Sequence, residues 1–327
     1  MTGAVFSIII PVKEVNDYVR ETVPAVQRLT RIDWELLIIT NEPQVTEWPG
    51  DDRIRMLSSG RVGPADKRDQ GARESSGAYL VFLDDDSYPR ADFLEVAFEA
   101  FEQGEVALGG PAVTPETDTF IQKVSGAVFS SRLTGGSPER YRPVGEPRLV
   151  DDWPSVNLMV RRDIFLSVGG FDSPYWPGED TFLCLKLLRA GHRVRYLPDM
   201  IVWHHRREGL LRHMRQVGAY GLHRGYFARH LPETSRHWNY FLPSAVFLMF
   251  MFTPLLLLLP APLRNVWFLG IVLYLLGVLV GVMDLLRHNP VRVAVAAVPY
   301  VVATHLSYGY WFLRGLLKSG QLVSKLR

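Results

Sequence analysis

Three adjacent acids, Asp84-Asp85-Asp86, follow directly on the apolar run Tyr79–Leu83. Carboxylates at alternate positions of such a turn can approach one cation together, and hard divalent ions such as Mg²⁺ or Mn²⁺ prefer oxygen ligands. Bound between carboxylates and a diphosphate, such an ion neutralises charge on a departing phosphate. The same triplet also fits a solvated turn; its attachment to the end of a buried strand favours the metal. A second acidic pair, Glu179-Asp180, follows Gly178 at the start of a helical pattern. A carboxylate there caps the helix and complements its dipole, or serves as general base toward an acceptor hydroxyl. His204, followed by His205, is either a surface residue or a neutral imidazole completing the metal site. Lys67, Arg68 and Asp69, near the start of another helix, either meet a diphosphate or are solvated.

The elements that must position these residues alternate along the first two hundred positions. Phe6–Val12, a continuous β-branched run, predicts a buried strand. A helix over about Asn16–Leu29 follows, then strands at Trp34–Asn41 and Ile54–Leu57, a helix over Ala65–Ser75, and the strand Tyr79–Leu83 that carries the acids. Asp92–Phe101 has helical spacing and Val106–Leu108 reads as a strand. Residues 110–156 are rich in Gly, Pro and Ser and predict long loops with one helix near Phe120–Leu133, an acceptor-side lid. Regular structure resumes at Val156–Val160, Arg162–Val168 and a helix Asp180–Ala190, with closing strands Val194–Tyr196 and Ile201–Trp203. Strands separated by helices imply a mostly parallel sheet covered on both faces. Such sheets bind ligands beyond the carboxyl ends of their strands, where Asn41-Glu42 and the aspartate triplet lie.

After His204 the composition changes. Residues 205–238 are crowded with Arg and His, interleaved with Tyr220, Tyr226 and Phe227, and predict either an interfacial helix or a cytoplasmic charge belt. Apolar stretches at about 241–260, 266–286 and 291–313 each approach or exceed the roughly 20 residues that cross a bilayer. Arg287, Arg292, Arg314, Lys318, Lys325 and Arg327 favour the cytoplasmic side, which three crossings do not satisfy. The first stretch, broken by Pro243 and Pro254, is the candidate for a re-entrant segment. The chain thus divides into a catalytic domain over 1–204, a basic segment over 205–238 and membrane helices with a basic tail over 239–327. Phe6–Val12 is too short for a secretory core, so the first domain is expected in the cytoplasm beneath a multi-pass plasma-membrane anchor. A net charge of +2 over 327 residues gives no indication of nucleic acid, and the single cysteine, Cys184, excludes an intrachain disulfide and a cysteine metal cage.

Taken in order, SIIIPVKE (Ser7–Glu14), KRDQGA (Lys67–Ala72), YLVFLDDDSYP (Tyr79–Pro89), NLMVRRDIFLSVGGFD (Asn157–Asp172) and GEDTFLCLKLLRAGHRVRYLPDMIVWHH (Gly178–His205) resemble the family 2 glycosyltransferases. The resemblance covers residues 5–205. It implies an α/β catalytic domain of the GT-A type, a Rossmann-like mixed sheet that takes nucleotide-diphospho-sugars, followed here by an α-helical membrane region. It also implies roles. Pro11, Val12, Lys13 and Glu14 line base and ribose, with Asn41 standing where relatives often carry an aspartate. Arg68 takes the basic position of the family's ARN-x-G segment, with Asp69 in place of its Asn. Asp84 and Asp86 are the two acids of D-x-D, with Asp85 beside the nucleotide, and His204 matches a metal-binding histidine. Asn157, Gly170, Phe171 and Asp172 lie near donor sugar and acceptor. Asp180 matches the catalytic base, with Glu179 beside it.

The reaction so implied moves a sugar from a nucleoside diphosphate, most simply UDP, to a hydroxyl of a lipid-linked or glycan acceptor, with inversion and with Mg²⁺ or Mn²⁺. Three apolar stretches and the absence of a Q-x-x-R-W run favour single addition over a processive polysaccharide synthase. Intact acids at 84, 86 and 180 weigh against an inactive glycan-binding scaffold. A transporter is disfavoured because Asp284 and His305 are the few ionisable residues in the apolar part.

Overall fold

The computed structural model describes residues 4–133, 137–258 and 260–322, so Lys325 and Arg327 lie outside the described residues. Two compact units emerge, one from residues 1–113 and 142–205, the other from residues 114–141 and 206–322.

The first unit is built on β1 (Phe6–Pro11), every residue of which is buried. Parallel partners flank it, β2 (Trp34–Thr40) on one side and β4 (Tyr79–Phe82) on the other, and β3 (Ile54–Ser58) extends the sheet beyond β2. The continuous apolar run of β1 follows from cover on both faces. Side chains alternate across a strand, so Ile8 and Ile10 join one core with Val19 and Val23 of α1 (Asp17–Gln27) and Phe93 and Leu94 of α3 (Phe93–Glu102). Ile9 joins the opposite core with Ala72 of α2 (Pro64–Glu74), Phe165 of α5 (Arg162–Ser167) and Leu183 of α6 (Glu179–Arg189).

Beyond β4 the sheet departs from a mostly parallel arrangement. The strand expected at Val156–Val160 begins at Leu158, after a 3₁₀ turn over Ser155–Asn157, and runs to Arg161 as β9. It inserts antiparallel between β4 and β6 (Ala107–Gly109). β10 (Val194–Tyr196) pairs parallel with β6, and β8 (Arg148–Val150) closes the edge antiparallel, giving the order β3-β2-β1-β4-β9-β6-β10-β8. A second, small sheet has the order β5-β11-β7, from Ser87–Pro89, Val202–His204 and Ala112–Val113. The described residues of 110–156 therefore include two short strands besides their helix. Both sets of strands pair with partners distant in sequence, which local composition does not reveal.

The second unit is helical: α4 (Phe120–Ser130), α7 (Leu210–His230), α8 (Pro232–Ser235), α9 (Leu242–Phe252), α10 (Ala261–His288) and α11 (Val291–Leu316). The segment expected as a lid is thus part of this unit, α4 placing Val124, Ala127 and Val128 against Val293, Ala294 and Ala297 of α11. α7 lies against α11 through glycine. A Cβ on Gly225 would overlap the carbonyl oxygen of Phe312, and one on Gly315 would overlap that of Leu222, so the two backbones approach as closely as small residues allow. Among the described residues, three stretches are long and apolar enough to cross a membrane: Trp238–Leu256, with α9 at its centre, α10, and α11.

Candidate active site

The acids are set by a tight turn after β4. The Asp84 amide donates to the Ser87 hydroxyl at 3.1 Å, the Ser87 amide donates back to the Asp84 carbonyl at 3.2 Å, and Ser87 then opens β5. β5 pairs antiparallel with β11 in a register that puts His204 opposite Ser87. His204 is therefore the last residue of a strand rather than the residue after one, and its Nε2 lies 3.1 Å from Asp86 Oδ1. One ligand atom from each of Asp84, Asp86 and His204 falls within 4.8 Å of the others. Two carboxylates and one imidazole at this spacing fit a divalent ion with open positions for further oxygen ligands. Asp85 is turned elsewhere, its Oδ2 accepting from Asn16 Nδ2 at 2.7 Å, while Asn16 Oδ1 caps α1 by accepting from the Val19 amide at 3.0 Å.

Arg68 joins the two acidic motifs. Its side chain is 3% exposed, with Nη2 2.5 Å from Asp84 Oδ1 and Nη1 3.2 Å from Glu179 Oε1. One buried guanidinium thus fastens the end of β4 to the start of α6. The alternative of a solvated basic cluster fails for Arg68 and equally for Lys67, because both are buried. Burial pushes the Glu179 carboxyl up, the neighbouring Asp180 pushes the same way and Arg68 opposes them. Asp180 follows in the first turn of α6, half-buried, with its Oδ1 accepting from the Thr181 amide at 2.7 Å. Asp180 thus takes up one free amide of the first turn of α6, whose N-cap is Gly178, while it stands beside the Arg68 network.

The residues expected at base and ribose gather at the ends of β1 and β2. Pro11 and Val12 are buried, Lys13 and Glu14 exposed, and the Asn41 amide donates to the Lys13 carbonyl at 2.9 Å. Lys67 Nζ donates to Asn41 Oδ1 at 2.6 Å and also to the Val12 carbonyl oxygen. Burial lowers the Lys67 pKa to about 8, against the opposing pull of Asp85. Asn16 was not singled out in the sequence; Lys67 was, as one of three residues that either meet a diphosphate or are solvated, but only the fold shows that its amine turns to β1 and β2.

The Gly170-Phe171-Asp172 turn is fastened by Asp69. Its Oδ1 accepts from the Phe171 amide at 2.7 Å and its Oδ2 from the Asp172 amide at 2.8 Å, while Lys186 Nζ donates to the Phe171 carbonyl at 2.8 Å. Gly170 (φ +61°) and Asp172 (φ +29°) both have left-handed backbone, and a Cβ at Gly170 would press on the Asp69 carboxylate. The Phe171 ring is fully buried, 5.0 Å from the Phe82 ring. Asn157 is also fully buried, its Nδ2 donating to the carbonyls of Met200 at 2.7 Å and Pro111 at 3.1 Å. Both side chains belong to the scaffold beneath the site, whereas Asp172 is exposed.

The sequence is similar to those of known proteins. The family model described as glycosyl transferase family group 2 matches residues 79–312. The pre-mycofactocin glycosyltransferase of Mycobacterium tuberculosis is 32% identical over 159 residues, covering 49% of this chain and 33% of that protein, so the chain spans about a third of its length there. A dolichyl N-acetyl-alpha-D-glucosaminyl phosphate 3-beta-D-2,3-diacetamido-2,3-dideoxy-beta-D-glucuronosyltransferase of Methanococcus voltae is 22% identical over 76% of this chain and 74% of its own. Glycosyltransferase AglE of Haloferax volcanii is 26% identical over 61% of this chain and 66% of its own.

Proposed function

The chain belongs to glycosyl transferase family group 2, and from that premise we propose that it transfers a sugar from a nucleoside diphosphate, UDP in the simplest case, to a hydroxyl of a membrane-associated lipid or glycan with inversion at the anomeric carbon. The observation that carries the reading is the junction at Arg68, which holds Asp84 of the Asp84–Asp86–His204 cluster and Glu179 beside Asp180 on one guanidinium. A base for the acceptor and a binding site for the leaving diphosphate must lie within one sugar's reach, and this junction brings the two motifs together.

Asp84, Asp86 and His204 would hold Mg²⁺ or Mn²⁺, which when bound supplies positive charge to the departing diphosphate. Asp180 accepts the proton of the attacking hydroxyl; its Oδ1 bond from the Thr181 amide fixes the carboxylate in orientation. Glu179, buried against Arg68, is a positioning residue that fastens the first turn of α6 to the Arg68 guanidinium. Pro11, Val12, Lys13, Glu14 and Asn41 receive base and ribose, with Asp85 at the rim and Lys67 fixing the Asn41 amide. Gly170 and Asp172 face the transferred sugar, while Phe171 anchors that turn in the core and Asn157 ties the carbonyls of Pro111 and Met200 together. The three apolar stretches fit a multi-pass anchor that keeps the enzyme beside a lipid-linked acceptor, with the catalytic unit in the cytoplasm.

The test is a screen of nucleotide sugars against the purified chain in a lipid extract, with Mn²⁺ or with EDTA. One donor is expected to be consumed in the metal-containing arm and spared with EDTA, and Asp180→Asn is expected to bind that donor without transfer. Equal turnover by wild type and Asp180→Asn removes the base; equal turnover with and without EDTA removes the metal.

A further inference from the structure

Lys67 and Arg68 are consecutive in α2, so their Cα atoms are about 3.8 Å apart, yet they serve different neighbours. Arg68 reaches Asp84, and Lys67 reaches Asn41 just past the carboxyl end of β2. The Asn41 backbone is pinned on both sides: its amide donates to the Lys13 carbonyl at 2.9 Å, and its carbonyl accepts from the Gly60 amide at 2.9 Å. What is left to set is the side-chain carboxamide, whose last torsion has two settings that exchange oxygen and nitrogen.

Lys67 makes that choice. The residue is buried, and its Nζ donates to the Val12 carbonyl oxygen and to Asn41 Oδ1, the latter at 2.6 Å. Burial lowers its pKa to about 8, which leaves it an ammonium at neutral pH. An ammonium has donors and no acceptor, so the atom facing it is the amide oxygen, and turning the amide over would set two donors against each other. Asn41 Nδ2 has no hydrogen-bond partner among the described residues, and Asn41 is half-buried. The oxygen keeps a second lone pair. Asn41 therefore shows an acceptor on the side of Lys67 and a donor on the other, in a fixed order.

That order separates nucleobases. Uracil and guanine present a ring N–H beside a carbonyl; cytosine and adenine present a ring nitrogen acceptor beside an amine. A freely turning amide pairs with either edge, since exchanging its oxygen and nitrogen matches the reversed order, whereas a held amide pairs with one. Charge decides which. A buried ammonium beside the pocket attracts a carbonyl oxygen and repels the hydrogens of an exocyclic amine. We propose that Lys67 is a positioning residue that sets base specificity, holding Asn41 so that Oδ1 accepts from the ring N–H and Nδ2 donates to the carbonyl of a uracil- or guanine-type base. This rests on the reading of the pocket as a nucleotide-sugar site and adds which base edge it reads.

Calorimetric titration of UDP, CDP, GDP and ADP, each with Mn²⁺, into the purified full-length chain tests the inference. Wild type is expected to bind the better of UDP and GDP at least about tenfold more tightly than its amine counterpart, CDP or ADP, as one bidentate pair discriminates. In Lys67→Met the amide turns freely, and the ratio is expected to fall toward parity. Asn41→Ala removes the reader and is expected to lower the ratio in the same way, which carries the test if a thermal melt shows Lys67→Met unfolded. A wild-type ratio in either folded variant, with all affinities lowered alike, is what a merely structural pair would give and overturns the inference. Wild type binding CDP or ADP as tightly as UDP or GDP overturns it too. Binding of none of the four removes the nucleotide reading itself.

Discussion

At the strand ends of the sheet, Arg68 holds Asp84 and Glu179 by charge, with the guanidinium buried and both carboxylates within hydrogen-bond distance. At Gly225 and Gly315, α7 and α11 meet with no side chain between them, backbone against backbone. The first arrangement is directional: it fixes where negative charge sits, and it costs desolvation that only complete pairing offsets. The second is steric: it depends on the absence of a methyl group and carries no charge to the chemistry. Damage to the one is therefore expected in catalysis and folding together, damage to the other in the helical unit alone.

The largest separation of the two comes from Asp180→Asn. The amide keeps an oxygen for the Thr181 N–H, so unfolding should be little changed, while loss of the base lowers turnover about 10²–10⁴-fold; single-turnover rates beside a thermal melt check this. Next is Arg68→Met, which leaves two carboxylates facing each other without their cation. Breaking a buried pair from one side costs about 3–5 kcal/mol, measurable by denaturant unfolding, and turnover should fall with it. Gly225→Ala inserts one methyl between α7 and α11 and is expected to cost about 1–3 kcal/mol in detergent, with nucleotide affinity unchanged.

The smallest effect is a pH dependence confined to the helical unit. His213 is fully buried between the hydroxyls of Ser125 and Thr304, each 2.8 Å from a ring nitrogen. Burial lowers its pKa from 6.5 to about 4. The unfolded chain therefore takes up the proton first, so stability is full above pH 6.5 and declines as pH falls toward 4, by about 1 kcal/mol at pH 5.5. A flat melting profile between pH 7 and 5.5 in wild type would contradict this, and His213→Gln should flatten it.

The parts of the molecule that the sequence displayed are those written in local runs. FSIIIPV announced β1, the alternation of strands and helices announced the α/β layer, and the acids at 84, 86 and 180 stood at element ends where a site was expected. Long-range pairing was not visible. β9 has the same apolar run whether it pairs parallel or antiparallel, and β5 and β7 are too short for any periodic signal. Nothing local to KRDQGA shows that Lys67 turns to Asn41 while Arg68 turns to Asp84. The glycine face of α7 did carry a signal: Gly218, Gly221 and Gly225 fall on one side of a helix at three- and four-residue spacing. That spacing marks a close helix contact inside a segment whose arginines had suggested only a surface.

The most direct measurement is calorimetric titration of UDP with Mn²⁺ into wild type, Asp86→Ala and Asp180→Asn. One donor site shared by the acid cluster and the base requires Asp180→Asn to bind as wild type does, and Asp86→Ala to lose at least about tenfold in affinity, or 1.4 kcal/mol, a loss that EDTA erases. Binding by Asp86→Ala as tight as wild type, with Mn²⁺ present, contradicts it.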